Sequence, residues 1–137
     1  MKFTYLGTGA AEGVPALFCE CERCKRSRLL GGRNIRTRSQ ALVDDRILID
    51  FPPDTFVHFL RYDLPLHLIK TCLITHAHSD HLYAEDLEFR KNGSYAQLND
   101  RAPITFYSDT RGYEMIRAVI DGARIPDTDL RAERISP

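Results

Sequence analysis

Several features are scarce in this 137-residue sequence, and each scarcity excludes something. Charge of one sign is not in excess: 19 Lys and Arg meet 19 Asp and Glu, so no global field draws in nucleic acid or an anionic membrane. No run approaches the roughly 20 apolar residues that cross a bilayer. The opening Met1-Lys2-Phe3-Thr4-Tyr5-Leu6-Gly7 lacks the apolar core of a signal peptide, so a soluble cytoplasmic protein with no membrane role is expected. Internal repeats and low-complexity linkers are absent, which argues against solenoids and strings of modules. Cysteines number four, too few and too bunched for a disulfide scaffold. Histidine stops altogether after His81. What remains, 43% hydrophobic and 28% charged, suits one globular unit with a real core.

Against that background one segment stands out, Thr75-His76-Ala77-His78-Ser79-Asp80-His81, an H-x-H-x-D-H spacing behind the short apolar run Thr71-Cys72-Leu73-Ile74-Thr75. The run reads as a buried strand, being short and partly β-branched. Side chains two apart in an extended segment point the same way, so His76 and His78 are placed to grip one metal ion. Asp80 and His81, around the following turn, reach a second. Imidazole and carboxylate suit zinc, with manganese or iron as alternatives. Two such ions roughly 3.5–4 Å apart hold a bridging hydroxide near neutral pH and aim it at a carbonyl or phosphorus, with Asp80 placed to orient or deprotonate that nucleophile. A solvated turn is the plainer reading, but it gives no reason for four ligand side chains in so short a space. Of the other histidines, His58 sits in a short helix, where packing or exposure explains it. His67 stands before the strand, about 16 Å from the motif at about 3.3 Å per residue.

Cys19, Cys21 and Cys24 form C-x-C-x-x-C, while Cys72 reads as a small buried residue. Three thiolates suit a structural zinc that takes its fourth ligand from elsewhere, and three reduced thiols in a turn remain the alternative. From Arg23 to Arg38 seven basic residues follow one another with no acid between them. Arg36 and Arg38 are the candidates for a substrate phosphate, and a solvated loop is the competing reading. Gly7-Thr8-Gly9 follows a strand expected over 2–6. The next glycine, Gly13, comes one residue too late for a dinucleotide fingerprint, so a loop over a site is the better reading.

The remaining elements are read coarsely. Ser39–Val43 and Ile47–Asp50 flank Asp44-Asp45-Arg46 as a β-hairpin. Asp54 caps a helix through Arg61 with an apolar face of Phe56, Val57, Phe59 and Leu60. A helix over Leu82–Lys91, a strand over Ile104–Ser108 and a helix over Thr110–Asp121 with Tyr113, Ile116, Val119 and Ile120 inward complete the order. Asp121–Pro137 is charge-rich, with no closing element expected.

The H-x-H-x-D-H segment resembles the signature loop of the metallo-β-lactamase superfamily. The stretch Gly7-Thr8-Gly9-Ala10-Ala11-Glu12-Gly13-Val14-Pro15, followed by Cys19-Glu20-Cys21-Glu22-Arg23-Cys24, narrows the resemblance to the cyclic phosphodiesterases of the carbon-phosphorus lyase pathway and their relatives, over most of residues 1–90. The resemblance implies an α/β fold, a four-layer αββα sandwich of which residues 1–137 form the amino-terminal half, a mixed sheet with flanking helices and no separate second domain. It also implies that Cys19, Cys21 and Cys24 hold a structural zinc with a histidine from the other half, and that Asp50, ending its strand, orients the metal-binding histidines. A turn aspartate ending a strand is the competing view of Asp50. Such proteins are about twice as long and draw further ligands from a second half, so a missing carboxy-terminal half, a partner chain or a homo-oligomer is expected. The implied activity is metal-dependent hydrolysis of a small phosphodiester. Hydrolysis of an ester, lactone or thioester is an alternative, and a zinc-stabilised RNA-binding module without catalysis is another.

Overall fold

Residues 1–122 and 129–136 are described by the computed structural model, and they build a mixed six-stranded sheet in the order β1-β2-β3-β4-β5-β6. Strands β1 (Phe3–Gly7), β2 (Gln40–Val43) and β3 (Ile47–Ile49) pair antiparallel. The β2–β3 turn is tight: Asp44 and Asp45 both take positive φ, and Arg46 N–H donates to Val43 O at 3.0 Å. Aspartate tolerates that left-handed geometry better than most residues, which explains the pair. Strands β4 (Thr71–Leu73), β5 (Ile104–Ser108) and β6 (Leu130–Arg134) then add in parallel. Parallel pairing needs crossovers. They are supplied by α2 (Thr55–Tyr62), a 3-10 helix over Ala84–Arg90 and α3 (Thr110–Asp121).

Register decides which side chains form the core. Leu42, Leu48, Cys72 and Phe106 stand in one row across the sheet and pack with Leu64, Ile69, Leu82, Leu87, Ile116 and Ile120. The opposite face carries Tyr5, Ile49, Leu73 and Tyr107 in register, and there Leu73 is 38% exposed. The strand before the motif is thus buried on one face only, through Cys72, and not on both. Helix α3 follows the sequence expectation residue for residue. Asp109 caps it by accepting from Gly112 N at 2.8 Å, and a side chain at Gly112 would collide with Ser108 Cβ.

Three elements and one cap depart from expectation. Helix α1 (Glu22–Leu30) lies in the basic stretch read as loop; it is polar all round, burying only Cys24 and Ser27, so no periodicity announces it. Strand β6 closes the sheet where no closing element was expected. Its Leu130 and Ala132 face the core between charged neighbours, an edge-strand pattern that resembles a solvated tail. The rest of that segment, 123–128 and 137, lies outside the described residues. Helix α2 is turned over: Thr55 and His58 face inward while Phe56, Val57, Phe59 and Leu60 are exposed. Asp54 makes no side-chain cap on α2 and is engaged by Arg38.

Candidate metal centre

The site begins with a backbone angle. Strand β3 ends at Ile49, opposite Leu73 of β4, and the chain leaves through Asp50 at φ 64°. A left-handed conformation costs a non-glycine residue about 1–2 kcal/mol, less for aspartate, so the surroundings must hold it. They do so from both sides. Asp50 N–H donates to Leu73 O at 2.8 Å, Phe51 N–H to His81 O at 2.7 Å, and Tyr83 N–H to Phe51 O at 2.7 Å. The segment after β3 is thereby stitched to both ends of the histidine motif. Both lie at the carboxyl ends of parallel strands, where open α/β sheets place their ligands.

This backbone path aims the Asp50 carboxylate, 3% exposed, into the motif. Its Oδ1 accepts from Thr75 N–H and Thr75 Oγ1, each at 2.8 Å, and its Oδ2 accepts from His81 Nδ1 at 2.7 Å. The last bond sets the tautomer. With its proton on Nδ1, His81 keeps a lone pair on Nε2, which lies 3.4 Å from Asp80 Oδ2. Thr75 Oγ1 gives its own proton to Asp50, so it can accept from His76 Nδ1 at 3.2 Å, and that histidine also keeps Nε2 for a ligand. The turn is closed by His78 O, which accepts from His81 N–H and Leu82 N–H at 2.9 and 2.8 Å. The His76 ring centroid consequently lies 4.0 Å from that of His81 and 4.7 Å from that of His78. Three imidazoles and a carboxylate gathered in one turn form a donor set that fits divalent metal.

Behind Asp50 runs a buried polar chain. Gln40 donates from Nε2 to Asp50 O and to Thr55 Oγ1, both at 3.0 Å, and its Oε1 accepts from His58 Nδ1 at 2.6 Å. His58 Nε2 meets Thr37 Oγ1 at 2.7 Å, and Thr55 Oγ1 donates to Pro52 O at 2.7 Å. Desolvation lowers the His58 pKa to about 4, against a raising influence of Asp54, with Arg61 adding to the fall. The neutral ring is what this chain needs, one nitrogen donating and the other accepting. It also explains why α2 turns its polar face inward.

The glycine-rich loop packs on the segment before β2. Gly9 N–H donates to Thr37 O at 2.6 Å, and a Cβ at Gly7 would stand 1.9 Å from Arg38 O, so only glycine fits. Arg38 is held internally: its guanidinium meets Asp54 at 3.1 Å, and its Nε donates to Ala11 O at 3.0 Å. Arg36 stays exposed, with one guanidinium nitrogen donating to Thr8 Oγ1 at 2.8 Å.

The cysteines gather at the start of α1, where Cys21 precedes the first turn. The sulfurs of Cys19, Cys21 and Cys24 lie within 4.8 Å of one another, a spacing that suits one metal ion. Ala16 N–H donates to Cys24 Sγ at 3.3 Å. The Cys24 backbone amide, then the neighbouring thiols, lower the Cys21 pKa to about 7, whereas burial raises that of Cys72 well above the ordinary thiol value. Among the described residues no fourth ligand joins this group.

No family model matches the chain, and no curated protein does. Solved structures do. A diphosphatase of the PhnP family superposes with a TM-score of 0.72 at 25% identity, covering 98% of this chain and 50% of that protein. Zinc-bound PqqB from Methylobacterium extorquens gives 0.72 at 22% identity, over 99% and 46%. The metallo-β-lactamase-fold protein YhfI from Bacillus subtilis gives 0.63 at 16% identity, over 98% and 46%. This chain has the metallo-β-lactamase fold. It spans about half the length of these neighbours.

Within the metallo-β-lactamase fold of this chain, His76, His78, Asp80 and His81 come together with Asp50, and the three cysteines form a second group. His58 is a packing residue, as one of its two readings had it, and His67 is exposed away from the described motif contacts. Gln40, Thr55, Thr75 and the role of His58 were missed. A glutamine in an apolar strand and a histidine in an otherwise apolar helix were the only signals.

Proposed function

We propose that this chain carries the metal-holding segment of a metal-dependent hydrolase, with a phosphodiester as substrate. His76 and His78 would hold one divalent ion and Asp80 with His81 a second; zinc suits these donors, and manganese or iron would be accepted. When bound, such ions supply Lewis acidity and lower the pKa of water. The chain's own residues do the positioning. Asp50 fixes the His81 ring and, through Thr75, the His76 ring, and the Asp80 carboxylate is placed to take a proton from the attacking water. Further ligands would come from a second half or a partner chain. Cys19, Cys21 and Cys24 would hold a separate structural zinc.

The observation that carries this reading is the trio of hydrogen bonds into the Asp50 carboxylate, because a buried aspartate that dictates a histidine tautomer has no use in a merely solvated turn. Attack at phosphorus is supported by the likeness to a diphosphatase. Its test is turnover of a chromogenic phosphodiester by the protein supplied with zinc or manganese. His78→Ala should abolish that turnover, and undiminished hydrolysis in the variant would reject the assignment.

A further inference from the structure

A cavity of about 520 Å³ opens at the end of β1, away from the histidine motif, none of whose residues lines it. Its walls carry three guanidiniums and no carboxylate: Arg33 and Arg36 come from the segment before β2, and Arg61 from α2. None of the three makes an ion pair among the described residues. The neighbouring Arg38, by contrast, is matched by Asp54. Three cations lining one cavity without a counter-ion make it electropositive, and an anion seated there is favoured. Arg36 is already oriented, since Thr8 Oγ1 holds one of its nitrogens. Guanidinium forks match phosphate oxygens in geometry as well as charge.

The other walls narrow the choice of anion. Tyr5 and Tyr62 line the same cavity and are 69% and 45% exposed, so two phenol rings face solvent beside the arginines. Aromatic faces next to basic side chains form the platform on which a nucleobase stacks while its phosphate is held. The volume lies within the range of small-molecule sites and admits a single nucleotide. The basic run in the sequence only partly foreshadowed this. Arg33 and Arg36 belong to it, Arg61 does not, and the α1 arginines take no part.

We propose that this cavity binds a nucleotide, its phosphates on Arg33, Arg36 and Arg61 and its base against Tyr5 and Tyr62. The site is independent of the metal reading. Isothermal titration of the full chain with adenosine diphosphate tests it, alongside Arg33→Ala, Arg61→Ala and, to keep the two sites apart, His78→Ala. Both arginines are exposed, so the variants should keep the fold, as circular dichroism will report. Each arginine variant should weaken binding by about tenfold or more, and His78→Ala should leave it unchanged. Pyrophosphate should bind more weakly than the nucleotide. The proposal is overturned if adenosine diphosphate binds more weakly than about 1 mM, if neither arginine variant changes the affinity, or if His78→Ala abolishes binding. Pyrophosphate binding as tight as the nucleotide's would overturn the base contact and with it the nucleotide assignment.

Discussion

The histidine turn and the cysteine triad both offer metal-type donors, yet they are built in opposite ways. Around the histidines the protons are already allotted: Asp50 takes those of His81 and Thr75, and Gln40, Thr55 and His58 hold Asp50 from behind. Those supporting side chains are at most 2% exposed. Around the cysteines there is little of this. Helix α1 buries only Cys24 and Ser27, and the triad is steadied by one N–H on Cys24 Sγ and by Arg28 on Cys19 O. The first geometry stands on protein contacts alone. The second would need a bound ion to hold it once ionised, because three thiolates within 4.8 Å repel one another. Preorganisation thus follows attachment to the core, and not the number of donors.

That contrast can be broken most directly by withdrawing metal. Structural zinc contributes about 10–16 kcal/mol in small cysteine sites, so a chelator should release α1, with fast amide exchange over Glu22–Leu30. The amides of Asp50, Phe51 and Thr75 should stay protected, since their bonds are protein to protein. Equal protection of both regions in chelator would end the distinction. A smaller effect is expected for Asp50→Asn. The amide would present N–H to His81 Nδ1, push the ring proton to Nε2 and remove the lone pair that faces Asp80. Metal affinity at the histidines should fall about 10–100-fold, with the cysteine-bound zinc retained, as stoichiometry by mass spectrometry would show. Unchanged affinity would mean that Asp50 is only a turn residue.

The smallest expected effect concerns pH. His58 has a folded pKa of about 4 against an ordinary value of 6.5, so between these values the unfolded chain takes up a proton that the folded chain refuses. Stability should therefore be complete above pH 6.5 and decline as the pH falls toward 4. The decline should start at the network behind Asp50. Melting temperature across that window, compared between the chain and His58→Gln, measures it; equal acid sensitivity in the two would remove His58 from the account.

How far this was legible in the sequence varied by residue. Ile104–Ser108 and Thr110–Asp121 were readable because their apolar spacing matches one period each. The candidate metal ligands His76, His78, Asp80 and His81 were readable because four donors sit within six residues, so little folding is needed to gather them. Helix α1 and strand β6 were not, since one lacks an apolar stripe and the other alternates charge with only Leu130 and Ala132. Arg38 shows the remaining limit. Its partner Asp54 is distant in sequence, and the same carboxylate had an equally good local use as a helix cap. Long-range choices of this kind are settled by packing, which leaves no mark at either position.

The order of the sheet has a consequence for how the protein is made. Every strand pairs with the one synthesised just before it, from β1 to β6, so no strand waits for a distant partner. Local pairing of this kind lowers the entropy cost of each addition during vectorial synthesis. Asp50, Thr75 and His81 all precede β5 and β6 in the chain. The hydrogen bonds that fix the histidine turn on Asp50 therefore involve only residues that precede β5 in the chain.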